Sequence, residues 1–125
     1  MFGRPMSNEP THQPQRVDHI GPEEAARLLA NGAALIDVRE PEEWRVGRAA
    51  EAIHIPLGEL GARLDEVPKG RELVMVCRSG SRSAAAAAAL LEIGLPAVNL
   101  AGGMQAWQAA SYAVVADDGR PGAVA

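Results

Sequence analysis

The feature that most constrains this chain is a rhythm. From Val17 onward, short apolar runs suited to strands alternate with runs suited to helices. The strand candidates are VDHI, AALIDV, AIHIP, ELVMVC and AVNL. Between them lie GPEEAARLLANG, PEEWRVG, GELGARLDEV and SAAAAAALLEIG, and GGMQAWQAA follows the last strand. Local chemistry agrees with the helices. Pro22 suits a first helical turn, Glu23 and Glu24 suit the helix dipole, and Gly32 and Gly94 suit C-terminal stops. Pro68 closes GELGARLDEV, and the alanine run has high helix propensity.

Strands separated by helices must pair in parallel, because a parallel neighbour needs a crossover. Strands as apolar as LVMV need cover on both faces. The expected fold class is therefore α/β, a three-layer sandwich with a five-stranded parallel sheet flanked by helices. In such sheets ligands sit beyond the carboxyl ends of the strands. That rim receives Cys77, at the end of VMVC, and Asp37, at the end of AALID.

The 125 residues suffice for one domain with a real core. Residues 1–16, rich in Pro, Asn, Gln and Thr, read as a flexible N-terminal arm. The domain should span 17–116, and DDGRPGAVA, residues 117–125, reads as a flexible tail. A net charge of −4 with no basic stripe argues against nucleic-acid binding. The first residues lack a signal-peptide core, and the longest apolar run, Ala84 to Leu91, is too short to span a bilayer. A soluble, cytoplasmic protein with no membrane partner is expected.

The single cysteine excludes an internal disulfide, leaving a buried thiol or a reactive one. A free Cys is most often a small core hydrophobe, but the surroundings of Cys77 favour reactivity. Arg78, Ser79, Gly80, Ser81 and Arg82 follow it before the alanine run. Successive amides can curl around the sulfur at a helix N-terminus, where partial positive charge favours a thiolate. Gly80 suits a tight turn, and Ser81 or Ser83 can cap the helix. Arg78 and Arg82 carry planar forks suited to an oxyanion, although either can equally pair with a nearby carboxylate. Asp37 is better suited to bonding loop amides or an arginine than to donating protons. Trp44 and Trp107 read as hydrophobic anchors. His12, His19 and His54 are scattered and suggest no metal site.

Over Val17 to Val115 the sequence resembles the rhodanese family of sulfurtransferases, single-domain type. The marks are Asp37-Val38-Arg39 with Glu40 and Glu43, Ala52-Ile53, Ile55-Pro56-Leu57, Gly102-Gly103 with Ala106-Trp107, and above all Cys77-Arg78-Ser79-Gly80-Ser81-Arg82-Ser83. One departure is Gly47-Arg48-Ala49-Ala50-Glu51-Ala52, where the family usually writes Gly-His-Ile-x-Gly-Ala. The resemblance implies a five-stranded parallel sheet and no cofactor. It implies that Cys77 takes a sulfane sulfur from a donor such as thiosulfate and becomes a persulfide. Residues 78–83 then hold the donor, Asp37 and Arg39 act as support, and cyanide, a thiol or a protein accepts the sulfur.

Two other readings compete. A persulfide carrier or docking module uses the same cysteine to deliver sulfur to a partner protein. A cysteine phosphatase or arsenate reductase also uses a thiolate in an anion cradle. Here, however, Ser83 stands where a phosphatase loop carries its arginine, and Arg82 comes one residue early.

Overall fold

The computed structural model describes residues 16–125. The element order is β1 (His19–Ile20), α1 (Pro22–Ala30), β2 (Ala34–Asp37), α2 (Pro41–Val46), β3 (Ile53–His54), β4 (Leu73–Val76), α3 (Ser81–Glu92), β5 (Ala97–Leu100) and α4 (Gly103–Ala109). The five strands form one sheet in the order β1-β5-β4-β2-β3, and every pairing is parallel. The expected sandwich class and strand count are both present.

Alternation along the central strands explains why they are apolar throughout. Ala34 and Ile36 of β2, with Leu73, Met75 and Cys77 in and just beyond β4, face a core shared with Ala86, Ala87 and Leu90 of α3. Leu35, Val74 and Val76 face the opposite core, with Ala25 of α1 and Met104 and Trp107 of α4. Burial on both sides leaves no position for a polar side chain within β2 or β4 before the rim. The small residues of α3 bring its axis close to β4, so its N-terminus lies against the residue that follows the strand.

Two expectations need correction. The segment GELGARLDEV forms two 3-10 turns, Leu57–Glu59 and Gly61–Glu66, instead of an α-helix. Its bonds run three residues back, as in Leu60 N–H to the Leu57 carbonyl and Val67 N–H to the Leu64 carbonyl. Gly58 and Gly61 weaken α-helix formation, and Arg63 leaves helical geometry at φ −118°.

The second correction concerns residues 117–125, expected as a flexible tail. Val115 bridges both Arg48 and Pro121 in antiparallel fashion, the Gly122 amide donates to the Val114 carbonyl, and the Ala123 amide donates to the Val46 carbonyl. This packing needs glycine at both meeting points. A side chain at Gly47 would lie 2.2 Å from the Ala123 carbonyl oxygen, and one at Gly122 would lie 2.7 Å from that of Val46. Gly47 and Arg48, at the start of the segment 47–52, are thus the residues that meet the tail. The arm assigned to residues 1–16 lies outside the described residues except for Arg16.

Candidate active site

Cys77 follows β4 directly and is 1% exposed. The chain then turns through Gly80, whose φ of +116° is left-handed and favours glycine. This turn aims three donors at the sulfur. The Gly80 amide lies 3.1 Å from Sγ, the Ser83 amide 3.4 Å and the Ser83 hydroxyl 3.3 Å. Helix α3 begins with Gly80 as its cap residue, and no side chain caps it. The expected capping by Ser81 or Ser83 is therefore absent, and the physical reason is specific. The third amide of the helix, normally satisfied by a capping oxygen, points instead at Cys77 Sγ. The sulfur occupies the position of the cap.

Burial pushes the Cys77 thiol up, but hydrogen bonds from the Ser83 hydroxyl and the Ser83, Gly80 and Ser79 amides outweigh it. The thiol is held below its ordinary value of 9.0. Hydrogen bonding from the Ser83 hydroxyl, followed by the amides of one turn, thus favours the thiolate.

A second helix fixes the loop from behind. The Met104 amide of α4 donates to the Cys77 carbonyl at 2.7 Å, and the Gln105 amide donates to the Arg78 carbonyl at 3.0 Å. The approach is so close that a side chain at Gly103 would lie 2.4 Å from the Cys77 carbonyl oxygen. That contact explains the glycine at the first position of α4.

The two arginines have different occupations. Arg82 makes a bidentate pair with Glu43 of α2, at 2.8 and 2.9 Å, so the guanidinium expected at the donor already holds a carboxylate. The pair holds Glu43 down to about 2, because the Arg82 hydrogen bonds outweigh the effect of burial. Arg78 is exposed, and its Nε donates to the Ala125 carbonyl. Ser79 and Ser81 are exposed beside the sulfur, while Ser83 is buried beneath it.

Asp37 and Arg39 do not reach the sulfur by any hydrogen bond among the described residues. They form a buried ion pair at 2.8 Å, and Arg39 also donates to the Gly47 carbonyl at 2.7 Å. The pair thereby anchors the segment that carries Glu43. The His54 ring contacts the Arg39 carbonyl at 2.7 Å and stacks on Trp44, whose ring also lies under the Arg48 guanidinium. Trp107 is buried in the core, as expected of an anchor.

The sequence reading pointed neither to Asn99 nor to any link between His19 and the sulfur. Asn99 and His19 form a hydrogen-bonded line behind Ser83, with 2.6 Å between Ser83 Oγ and Asn99 Oδ1 and 3.0 Å between Asn99 Nδ2 and His19 Nδ1. The available signal was an asparagine within the otherwise apolar AVNL. Among the described residues, no cluster of His, Cys, Asp and Glu is arranged to hold a metal ion. No described helix is long and apolar enough to cross a membrane.

A parallel α/β sheet with a thiol at a strand end, facing the N-terminus of the next helix, defines a class of cysteine-centred α/β domains whose loop can hold an anion at the sulfur. The Rhodanese-like domain pattern matches residues 21–110, and the chain belongs to that family. A relative from Allochromatium vinosum named "Sulfurtransferase" is 37% identical over 106 residues, spanning 82% of this chain and 99% of that one. A rhodanese-related protein from Thermoplasma volcanium superposes with a TM-score of 0.73 at 33% identity, over 78% of this chain and 97% of that one. A thiosulfate sulfurtransferase from Pseudomonas aeruginosa gives 0.73 at 26% identity, over 87% of this chain and 22% of that one. The family to which the chain belongs is thus one of sulfur-transferring enzymes.

Proposed function

We propose that the protein moves a sulfane sulfur from thiosulfate or a similar small anionic donor to a thiophilic acceptor, through a persulfide on Cys77. The observation that carries this reading is the convergence of the Gly80 amide, the Ser83 amide and the Ser83 hydroxyl on one sulfur atom. Such donors stabilise an anion at Sγ without a general base.

In the first displacement the Cys77 thiolate attacks the outer sulfur of thiosulfate. A sulfur–sulfur bond to Cys77 forms, the bond to the inner sulfur breaks, and sulfite leaves with that electron pair. In the second, cyanide or a thiolate attacks the outer sulfur of the persulfide, and the Cys77 thiolate leaves. The two half-reactions balance without an external oxidant or reductant. Ser79, Gly80, Ser81 and Ser83 form the wall that receives the donor. Arg78, at the exposed edge, supplies positive charge to it, and Arg82 holds the loop to Glu43 while adding its own charge. Asp37 and Arg39 support that arrangement from the neighbouring strand. The near-complete burial of Cys77 favours a donor that presents a terminal sulfur on a small anion. A cytoplasmic setting, which keeps thiols reduced, suits a mechanism that needs a free Cys77.

The test combines thiosulfate:cyanide turnover with intact-mass spectrometry after thiosulfate alone, for wild type and Cys77→Ser. The expected result is the gain of one sulfur atom by wild type only, with turnover lost in the variant. A sulfur adduct without appreciable turnover to small acceptors would replace catalysis by the carrier role. No adduct, accompanied by hydrolysis of an aryl phosphate, would overturn sulfur transfer in favour of a phosphatase.

A further inference from the structure

Asn99 interrupts β5, whose other residues are Ala, Val and Leu, and it is only 3% exposed. It stands in register with His19 on the outermost strand, β1. The line from the surface to the sulfur runs His19 Nδ1, Asn99 amide, Ser83 hydroxyl, Cys77 Sγ, with successive distances of 3.0, 2.6 and 3.3 Å. A buried polar line of this kind must be satisfied at every atom, which limits its proton arrangements.

Ser83 has one hydroxyl proton and three acceptors around it: Asn99 Oδ1, Cys77 Sγ and, at 3.3 Å, the Gly80 carbonyl. With Cys77 as a thiol, one arrangement satisfies the line. The S–H donates to Ser83 Oγ, the Ser83 hydroxyl donates to Asn99 Oδ1, and Asn99 Nδ2 donates to an unprotonated His19 Nδ1. With the sulfur as an anion, the same heavy-atom positions accept the reversed arrangement once the Asn99 amide turns over. His19 Nδ1–H then donates to Oδ1, Nδ2 donates to Ser83 Oγ, and the hydroxyl proton points at the sulfur. The thiol proton leaves to water, and His19 carries a proton on Nδ1, as the neutral tautomer or as imidazolium.

We propose that His19 and Asn99 are positioning residues for sulfur transfer, turning the Ser83 hydroxyl toward Cys77 when the sulfur becomes a thiolate or persulfide. This rests on the reading of Cys77 as the nucleophile and names the groups that set its donor count. The charged side chains on the same and adjoining segments are Arg16 and Asp18 beside β1, Glu23, Glu24 and Arg27 on α1, Arg78 in the loop, and Arg82 and Glu92 on α3. Strand β5 and helix α4 carry none. Among the described residues, none of these charges pairs with the His19 ring, whose recorded partner is Asn99. His19 is exposed on the edge strand, so replacing it leaves both cores intact.

The decisive comparison is the Cys77 thiolate titration, followed by ultraviolet absorbance, in wild type, His19→Ala and His19→Asn. An asparagine amide reaches the Nδ1 position and donates there, yet carries no charge. His19→Ala is expected to lower the acid constant of Cys77 about tenfold, the order of effect of one hydrogen bond to a charged group. His19→Asn should restore most of it. An unchanged curve in His19→Ala would overturn the proposal. Equal shifts in both variants would also overturn it, by assigning the effect to imidazolium charge instead of hydrogen bonding. A second readout needs no substitution: nitrogen NMR of the wild-type His19 ring should show Nδ1 change from acceptor to donor between thiol and persulfide forms. Identical ring signals in both forms would sink the idea. Failure of wild type to take up sulfur, with the predicted thiolate shifts still present, would instead remove the transferase reading and leave the relay standing.

Discussion

Strands β2 and β4 lie side by side, with Asp37 opposite Val76, and each ends at the same rim in a group capable of negative charge. The two ends are finished in opposite ways. At β2, both Asp37 and Arg39 are 0% exposed. The carboxylate accepts from the Arg39 amide at 3.0 Å, from Nε at 2.9 and 3.1 Å, and from Nη2 at 2.8 Å. Its charge is neutralised and its oxygens are occupied. At β4, the Cys77 sulfur faces three donors, none of them formally charged. The first end is closed by a full countercharge, whereas the second is lined with dipoles and gains most when an anion forms. One rim of one sheet thus holds a structural centre and a chemical one, separated by a single strand spacing.

The largest expected effect tests whether the β2 end is structural. Arg39→Ala leaves the Asp37 carboxylate buried and unpaired, a change that costs on the order of 3–5 kcal/mol. It also releases the Gly47 carbonyl and the segment bearing Glu43. Denaturant unfolding should show that loss, and thiolate formation in the remaining folded fraction should be far less affected. If stability held while the thiolate titration moved by more than a pH unit, the division between the two ends would be wrong.

The same contrast explains what was legible in the sequence. The strands were visible because β2 and β4 are covered on both faces and so are uniformly apolar. The sulfur loop was visible because its chemistry is local: Cys77, Gly80 and Ser83 belong to one turn. The partners of the arginines were not, because Glu43 meets Arg82 across 39 positions and Ala125 meets Arg78 across 47. Pattern rules carry no information about such pairings. The serine caps were misread because capping propensity assumes an oxygen acceptor, and here a sulfur accepts the amide. The ordered tail escaped notice because its hold joins backbone bonding, made possible by Gly47 and Gly122, to contacts with the sequence-distant Arg48 and Arg78.

A smaller effect is expected where the loop rests on α4. At Gly103, an alanine must accept a φ of +57° and push its methyl against the Cys77 carbonyl oxygen and the Arg78 backbone, both within 2.6 Å. Relief requires α4 to retreat from the loop, with a cost of roughly 1–3 kcal/mol for overpacking. Because the Met104 amide anchors Cys77, the retreat should also misalign the sulfur with its donors. Gly103→Ala should therefore lower stability in urea and raise the thiolate midpoint together. A stable variant with an unaltered midpoint would show that α4 does not position the loop.

The smallest effect separates the scaffold of the loop from its chemistry. Glu43 sits near 2 when folded, against an ordinary value of 4.5. The unfolded chain therefore binds a proton there more readily than the folded one. Its contribution is fully present above about pH 4.5 and is lost as the pH falls toward 2. With the Glu43 and Arg82 side chains 18% and 35% exposed, solvent screening limits that contribution to about 1–2 kcal/mol. Glu43→Gln should be less stable than wild type by that amount at neutral pH, and the two acid-unfolding curves should converge below pH 4.5, since other carboxylates titrate alike in both. No bond to the sulfur involves Glu43, so the thiolate midpoint should move little in the variant. A midpoint that rises as far as in Gly103→Ala would instead make the Arg82–Glu43 pair part of the machinery that charges the sulfur, because the Glu43 carboxylate meets the sulfur loop through the Arg82 guanidinium.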